Sequence, residues 1–138
     1  MKKSTKELLH EIASEENILS YLEKNEGDLL DETAEEYLRR KMLEKNLAVA
    51  DIARRSSHGD YVYKVFSGRR RASRDILVAI AFGMSMTADE TQTLLRLSGT
   101  ARLDPRAPRD AVALHALLKK RDLMYLNDIL FDMGEAVY

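Results

Sequence analysis

Helix start signals constrain this chain more than any other feature of its sequence. The S/T-x-x-E pattern occurs three times, at Ser4 with Glu7, Thr33 with Glu36, and Thr87 with Glu90. In this capping box the hydroxyl accepts a hydrogen bond from a free amide at the helix start, and the glutamate side chain returns to the amide of the cap residue. Glycine and proline are scarce, at six and two residues, and no alternating strand pattern is present. The sequence therefore predicts an all-α fold.

The apolar spacing between these signals predicts a series of helices. They cover about residues 4–25, 33–45, 49–56, 60–67, 74–82, 87–98, 108–120 and 122–134. Several glycines are placed to take the left-handed conformation just beyond a helix end, and these are Gly27, Gly68, Gly83, Gly99 and Gly134. Residues 25–32, NEGDLLDE, predict a boundary after an acidic N-terminal helix, 1–27. We expect that helix to pack on the domain or on a second copy of the chain.

Charge is distributed unevenly along a chain whose net charge is only −1. Residues 1–36 carry four lysines and eleven acidic residues, a balance of −7. Residues 37–74 carry eleven basic and three acidic residues, a balance of +8, and residues 75–138 carry seven and nine, a balance of −2. At moderate salt, screening confines electrostatic interactions to roughly 10 Å, so a ligand responds to the local charge and not to the net charge of the chain. The basic residues between 37 and 74 therefore predict a site for a polyanion.

Composition argues against several classes of protein. The longest apolar run, residues 76–84, is too short to cross a bilayer, and the first residues, MKKSTKELLHEIASEEN, lack the hydrophobic segment of a secretion signal. We therefore expect a cytoplasmic protein that does not engage a membrane. The chain has no cysteine, which excludes disulfides and thiol catalysis. His10 lies near Glu7 and Glu11, but a metal site needs more converging ligands. No metal, cofactor or catalytic residue is predicted, so the chain is expected not to be an enzyme.

Two short predicted helices, 49–56 and 60–67, have the proportions of a helix-turn-helix. They are joined by the turn Ser57-His58-Gly59, and the second ends at Gly68. In such a unit the second helix enters the DNA major groove while flanking cations hold the phosphates. Val62 and Val65 lie three residues apart and are expected to face the core. This leaves a set of residues on or near the outer face: Asp60, Tyr61, Tyr63, Lys64 and Ser67.

Four arginines follow this second helix, at Arg69, Arg70, Arg71 and Arg74. They are placed to run along a DNA backbone, and together with the outer face of the helix they form the predicted DNA-binding site. A solvated loop paired with the acidic N-terminal helix is the alternative for these arginines. Packing at the core or its edge is an equal alternative for Tyr61 and Tyr63, and His58 is interpreted as a polar turn residue.

The segment NLAVADIARRSSHGDYVYKVFSGRRRASRDILVAIAFGM, residues 46–84, resembles the XRE-type helix-turn-helix family, the Cro and lambda-repressor class. The similarity lies in Leu47, Ile52-Ala53, Ser57, Val62, Val65, Gly68-Arg69-Arg70 and Ser73. The resemblance implies a five-helix lambda-repressor-like DNA-binding domain at about residues 33–99. The extra N-terminal helix, predicted from its own residues, has no counterpart in this resemblance. Residues 90–135 resemble the C-terminal extension of a subgroup of bacterial XRE-type proteins, with Arg109-Asp110 and Asn127 in corresponding places, which implies two further helices in residues 100–138.

The resemblance implies a transcriptional regulator that binds double-stranded DNA. One such unit reads few base pairs, so we expect a homodimer on a two-fold site, paired through residues 1–25 or 109–133. The chain also departs from the family pattern, because Ala48 and Val49 stand where a hydroxyl and an amide usually meet phosphate, and Asp60 adds a negative charge. These departures favour an alternative: a protein-interaction module whose helix-turn-helix is masked or vestigial.

Overall fold

The computed structural model describes residues 3–25 and 32–138, and in these ranges the chain is entirely helical. The helices are α1 (Thr5–Ser14), α2 (Ile18–Lys24), α3 (Ala34–Glu44), α4 (Val49–Ser56), α5 (Gly59–Phe66), α6 (Arg74–Gly83), α7 (Ala88–Leu97), α8 (Pro108–Leu118) and α9 (Leu123–Asp132). The described ranges contain no strand, which confirms the all-α prediction. None of the helices in them has the length and apolar character that a membrane span requires. The chain divides into two compact units, Met1–Asp31 and Glu32–Tyr138.

The described residues of the first unit, 3–25, form two helices where the sequence predicted one. Glu15 has an extended backbone, with φ −91° and ψ 126°, and it ends α1. Asn17 then accepts a hydrogen bond from the amide of Leu19 through its side chain, at 3.0 Å, and begins α2. The prediction of a continuous helix over 4–25 is therefore wrong, because an asparagine that caps a helix competes with the helix-forming residues around it. The predicted stop at Gly27 lies outside the described residues.

The predicted capping boxes differ in how completely they form. In all three the hydroxyl accepts a hydrogen bond from the amide three residues later. Only Thr87 and Glu90 complete the box, because the amide of Thr87 also donates to the Glu90 carboxylate at 2.9 Å. At Ser4 and Thr33 the glutamate instead accepts from the hydroxyl of the cap residue. The predicted starts of α1, α3 and α7 are confirmed.

Helix α6 occupies the centre of the second unit, and α4, α7 and α9 all pack against it. All its residues from Leu77 to Gly83 are buried, as expected of a helix that is apolar on every side. Helix α4 also packs against α5, while α3 contacts both α5 and α7. The core formed in this way holds the α4–α5 pair in a fixed position.

Gly83 has a different role from the one its sequence position predicted. It is the last residue of α6, and Ser85 takes the left-handed conformation with φ 53°. A Cβ atom at position 83 would lie 3.0 Å from the carbonyl oxygen of Ile52 and 3.3 Å from Cβ of Ser56. The glycine therefore permits the close approach of α6 to α4. Predictions of left-handed stops at Gly68, Gly99 and Gly134 are confirmed, since their φ angles are 78°, 75° and 74°.

Two crossed ion pairs join the first turns of α6 and α8. Each of these turns contains an Arg-Asp dipeptide, Arg74-Asp75 in α6 and Arg109-Asp110 in α8. Arg74 binds Asp110 with Nη2 and Oδ2 2.9 Å apart, and Arg109 binds Asp75 with Nη1 and Oδ1 2.9 Å apart. We call these four residues the Arg-Asp clamp. It ties the C-terminal helices to the start of α6.

The clamp also fixes the last residues of the described chain. Arg109 donates to the carbonyls of Ala136 and Val137, and its guanidinium lies 3.9 Å from the centre of the Tyr138 ring. Asn127 exchanges two hydrogen bonds with the backbone of Tyr138, at 2.9 and 2.8 Å. Arg109 and Asn127, which the sequence singled out only by resemblance, thus hold the segment after α9 against α8 and α9.

Candidate nucleic-acid interface

Helices α4 and α5 form a tight helical pair. Ser57 follows α4 in the left-handed conformation, with φ 61°, and His58 precedes α5 without donating or accepting a capping hydrogen bond through its side chain. Val62 and Val65 are buried, which confirms that they face the core. The opposite face of α5 is therefore turned outward.

Ala48 has no polar side chain to cap the start of α4, and Asp51 partly replaces this cap. The carboxylate of Asp51 accepts a hydrogen bond from the amide of Ala48 at 3.0 Å. This bond is the main cause that lowers the pKa of Asp51 below its ordinary value, and the cations of Arg54 and Arg55 contribute further. Asp51 thus satisfies the helix start, while positions 48 and 49 offer no side-chain donor to a ligand.

Four of the residues predicted on the outer face of α5 are exposed: Asp60, Tyr63, Lys64 and Ser67. Half of the surface of Tyr63 is accessible to solvent, at 50%. Asp60 lies in the first turn, where its negative charge interacts favourably with the helix dipole. Their positions are three or four residues apart along α5, so these four exposed residues share one face of the helix.

Tyr61 takes a different position from the rest of the predicted set. Its side chain is partly buried against the core, and its hydroxyl donates to the carbonyl of Arg71 at 3.0 Å. Tyr61 therefore connects α5 to the segment that follows it, which agrees with the packing alternative for this residue.

Arg69, Arg70 and Arg71, which we call the arginine loop, follow α5 on a well-defined backbone. Gly68 ends the helix in the left-handed conformation, and its amide donates to the carbonyl of Val65 at 3.1 Å. The amides of Arg69 and Arg70 both donate to the carbonyl of Lys64, at 2.9 and 3.2 Å. This is the Schellman pattern of helix termination. With the bond from Tyr61, it fixes the path of the loop.

The side chains of the arginine loop are exposed. Across the described part of the chain, none of the three forms a salt bridge. Three cations are thus held next to one another by a fixed backbone, and no carboxylate of the described residues neutralises them. Such an arrangement attracts a polyanion and can place several charges on successive phosphates.

Arg74 does not share this environment. Its side chain is only 25% exposed and binds the Asp110 carboxylate. Its Nε and Nη2 also donate to the carbonyls of Ala101 and Arg102, at 2.7 and 3.2 Å. The structure therefore directs Arg74 into the protein and does not bring it together with the arginine loop.

One further arginine supports this surface and was missed in the sequence. Arg39 of α3 donates to the carbonyl of Phe66 at 2.9 Å and so satisfies the end of α5. No local signal predicts this contact, because the two residues lie 27 positions apart. Only the overall excess of basic residues between 37 and 74 indicated that Arg39 could lie near the site.

Comparison with known proteins gives this surface no counterpart. No family model matches the chain, and neither a curated protein nor a solved structure matches it significantly. The interpretation of the interface therefore depends on the geometry and charge of its own residues.

Proposed function

We propose that this protein is a bacterial XRE-type transcriptional regulator that binds double-stranded DNA in the cytoplasm without catalysing a reaction. In this proposal α3 to α7 form a lambda-repressor-like domain, and α5 enters the major groove. The observation that carries it is the arginine loop: three exposed arginines with no carboxylate partner in the described chain, on a fixed backbone directly after α5.

The exposed residues of the arginine loop and of α5 would contact different parts of the DNA. Arg69, Arg70 and Arg71 would bind phosphates, which supplies affinity with little dependence on sequence. Tyr63 and Lys64 lie on the outer face of α5 and would reach base edges, with Asp60 and Ser67 at the two ends of that face. Tyr61 would position the loop without contacting DNA, and Arg74 would belong to the Arg-Asp clamp.

The proposal includes a homodimer, since a single helix in the groove reads too few base pairs for selectivity. Two copies would bind half-sites about one helical turn apart. Residues 1–25 and 109–133 remain the two candidate pairing surfaces. Both present large exposed apolar side chains, among them Leu9 and Leu19 in the first range and Met124 and Phe131 in the second.

Fluorescence anisotropy with a labelled mixed-sequence duplex tests the proposal. The wild-type chain should bind at about 0.05 M salt and lose affinity steeply by about 0.2 M, because phosphate contacts release counterions. The triple variant R69Q/R70Q/R71Q should bind about 30- to 100-fold more weakly. Its salt slope should be shallower by about 2 to 3, since each lost phosphate contact removes about 0.9 from that slope.

A matched triple variant provides the control. R96Q/R102Q/R106Q removes the same charge from exposed arginines of the same unit that lie outside the interface. It should leave the salt slope close to that of the wild type. Equal losses in the two triple variants, or no binding by the wild type at low salt, would exclude the arginine loop as a DNA site. Substitution of Tyr63 or Lys64 should instead change the preferred sequence in a binding-site selection.

A protein-interaction module is the second candidate function. Two observations favour it: Ala48 and Val49 at the start of α4 carry no polar group for a phosphate, and Asp60 exposes a carboxylate at the start of α5. On this alternative the basic surface is masked or unused. Removal of residues 1–27 distinguishes the two, because masking by the acidic segment predicts that DNA binding rises sharply in the shortened protein.

A further inference from the structure

The second unit contains a cavity of about 810 Å³ that the proposed DNA contacts do not use. Its lining comes from the end of α4, from the turn between α6 and α7, and from the turn between α8 and α9. Four of the lining side chains are apolar and buried: Phe82, Met86, Leu117 and Leu123. Leu118 is 69% exposed at the edge of the same space. The cavity therefore has an apolar interior that is open to solvent.

Cations dominate the polar part of the lining. Arg55, Lys120 and Arg121 line the cavity and are exposed. Where the structure describes the chain, none of these three forms a salt bridge, and Arg121 lies 5.4 Å from the centre of the Tyr125 ring. Asp122 is the acidic residue of the lining, and its carboxylate accepts a hydrogen bond from the amide of Tyr125 at the start of α9. The cavity thus has an excess of positive charge beside apolar surface.

The two turns that form the cavity walls are held by backbone hydrogen bonds. In the α8–α9 turn, Lys120 is left-handed with φ 57°, and the amide of Arg121 donates to the carbonyl of Ala116 at 2.8 Å. In the α6–α7 turn, Ser85 is left-handed, and the amide of Met86 donates to the carbonyl of Ala81 at 3.0 Å. The walls are therefore formed before any ligand arrives, as is usual for small-molecule sites.

We propose that this cavity binds a small organic anion that carries an apolar body. Its volume lies within the range of about 300 to 1,000 Å³ that is common for such sites. The apolar part would contact Phe82 and Met86, while the anionic group would bind Arg121 and Lys120. Carboxylates, sulfonates and phosphate esters share the required chemistry, since each offers several oxygen acceptors to a guanidinium or an ammonium group. Arg55 extends the site to α4.

Fluorescence titration of the full chain with 8-anilinonaphthalene-1-sulfonate tests this proposal, because the probe combines a sulfonate with an aromatic body. Binding should saturate at one molecule per chain. R121Q and K120N should each weaken it about 3- to 10-fold, and asparagine at position 120 tolerates the left-handed backbone of that residue. The neutral probe N-phenyl-1-naphthylamine should bind more weakly to the wild type and should not distinguish these variants from it.

The neighbouring Lys119 supplies a matched control, since it is exposed in the same turn but does not line the cavity. K119Q should bind the sulfonate probe within about twofold of the wild type. If K119Q, K120N and R121Q all weaken binding equally, or if the probe does not saturate, the site is not in this cavity. The triple variant R69Q/R70Q/R71Q should bind the probe normally, so failure of DNA binding and failure of this site are separable.

A cavity-filling variant gives an independent test. Ala88 lines the cavity at the first turn of α7, and A88W should occupy the space and abolish probe binding. Circular dichroism and the thermal midpoint establish whether this variant is folded. A folded A88W that binds the probe as the wild type does would overturn the proposal. If A88W does not fold, the comparison of R121Q with K119Q decides the outcome.

Discussion

The arginine loop and Arg74 of the Arg-Asp clamp lie close together in the sequence, but their arginines have opposite environments. Arg71 is exposed and forms no salt bridge with the described residues, whereas Arg74, three positions later, is largely buried between a carboxylate and two carbonyls. The carboxylate comes from Asp110, 36 residues away. The difference shows that folding, and not local sequence, decides which cations remain available to a ligand.

The largest expected effect is loss of stability when the clamp is broken. R74Q leaves the partly buried Asp110 without its cation, which should lower the free energy of unfolding by about 2 to 3 kcal/mol. R71Q should change it by less than about 0.5 kcal/mol, since that side chain is exposed and unpaired in the described chain. Urea unfolding of both variants at neutral pH measures the contrast. Equal losses in R71Q and R74Q would remove the distinction between loop and clamp.

Glu90 of α7 forms ion pairs with Lys41 and Lys45 that are less exposed than the arginine loop. The effect of these pairs on stability can be tested by changing the pH. Burial raises the pKa of Glu90, but the Thr87 amide, Lys45 and Lys41 lower it more, to about 2 from an ordinary 4.5. The folded state therefore binds this proton more weakly than the unfolded state. The resulting stabilisation is present above about pH 4.5 and is lost as pH falls towards 2.

The variant E90Q should lose about 1 to 2 kcal/mol of stability at neutral pH, a value reduced because the carboxylate is partly exposed to solvent. Its difference from the wild type should shrink as the pH approaches 2. Urea unfolding from pH 2 to pH 7 measures this. A difference that stayed constant across that range would show that Glu90 contributes through packing and not through its charge.

Removal of the Tyr61 hydroxyl should loosen the arginine loop with a smaller energetic effect. Y61F deletes the hydrogen bond to the carbonyl of Arg71 but keeps the ring packed against the core, at a cost of about 0.5 to 1 kcal/mol. Amide hydrogen exchange at residues 69–72 should become faster while exchange in α6 is unchanged. Unaltered exchange in the loop would mean that the Schellman bonds alone fix its path.

The smallest expected effect concerns Asp60. D60N removes a carboxylate from the first turn of α5 and should lower stability by about 0.3 to 0.5 kcal/mol through the helix dipole. It should also tighten DNA binding a few-fold at low salt, because one repulsive charge leaves the outer face of α5. Anisotropy at two salt concentrations measures this gain. Weaker binding by D60N would show that Asp60 contributes a favourable contact.

Local signals predicted much of the fold. The bounds of α4 match the predicted 49–56, and α3 and α7 begin after the expected cap residues Thr33 and Thr87. Helix α9 begins within one residue of the predicted start at position 122. These features depend on hydrogen bonds between residues close in sequence, so a short pattern is sufficient to indicate them. The same reasoning explains why the exposed face of α5 was predicted from the spacing of Val62 and Val65.

Features that depend on distant residues could not be predicted. Gly83 was interpreted as a helix stop because its contact with the carbonyl of Ile52 is invisible in the sequence. Arg74 could not be separated from the arginine loop without knowledge of Asp110. The cavity joins three segments that are far apart in the chain, and no motif indicates it. The break at Asn17 is different, since its signal was local but was outweighed by the surrounding helix-forming residues.

The Schellman ending at Gly68 has a consequence for how this surface can evolve. The path of the arginine loop is set by the carbonyl of Lys64, by the left-handed glycine and by the hydroxyl of Tyr61. None of these bonds involves the side chains at positions 69–71. Mutations there can therefore change affinity for a polyanion gradually, with almost no loss of stability to restrain them. The charge of this surface can therefore change by single substitutions that a marginally stable protein tolerates.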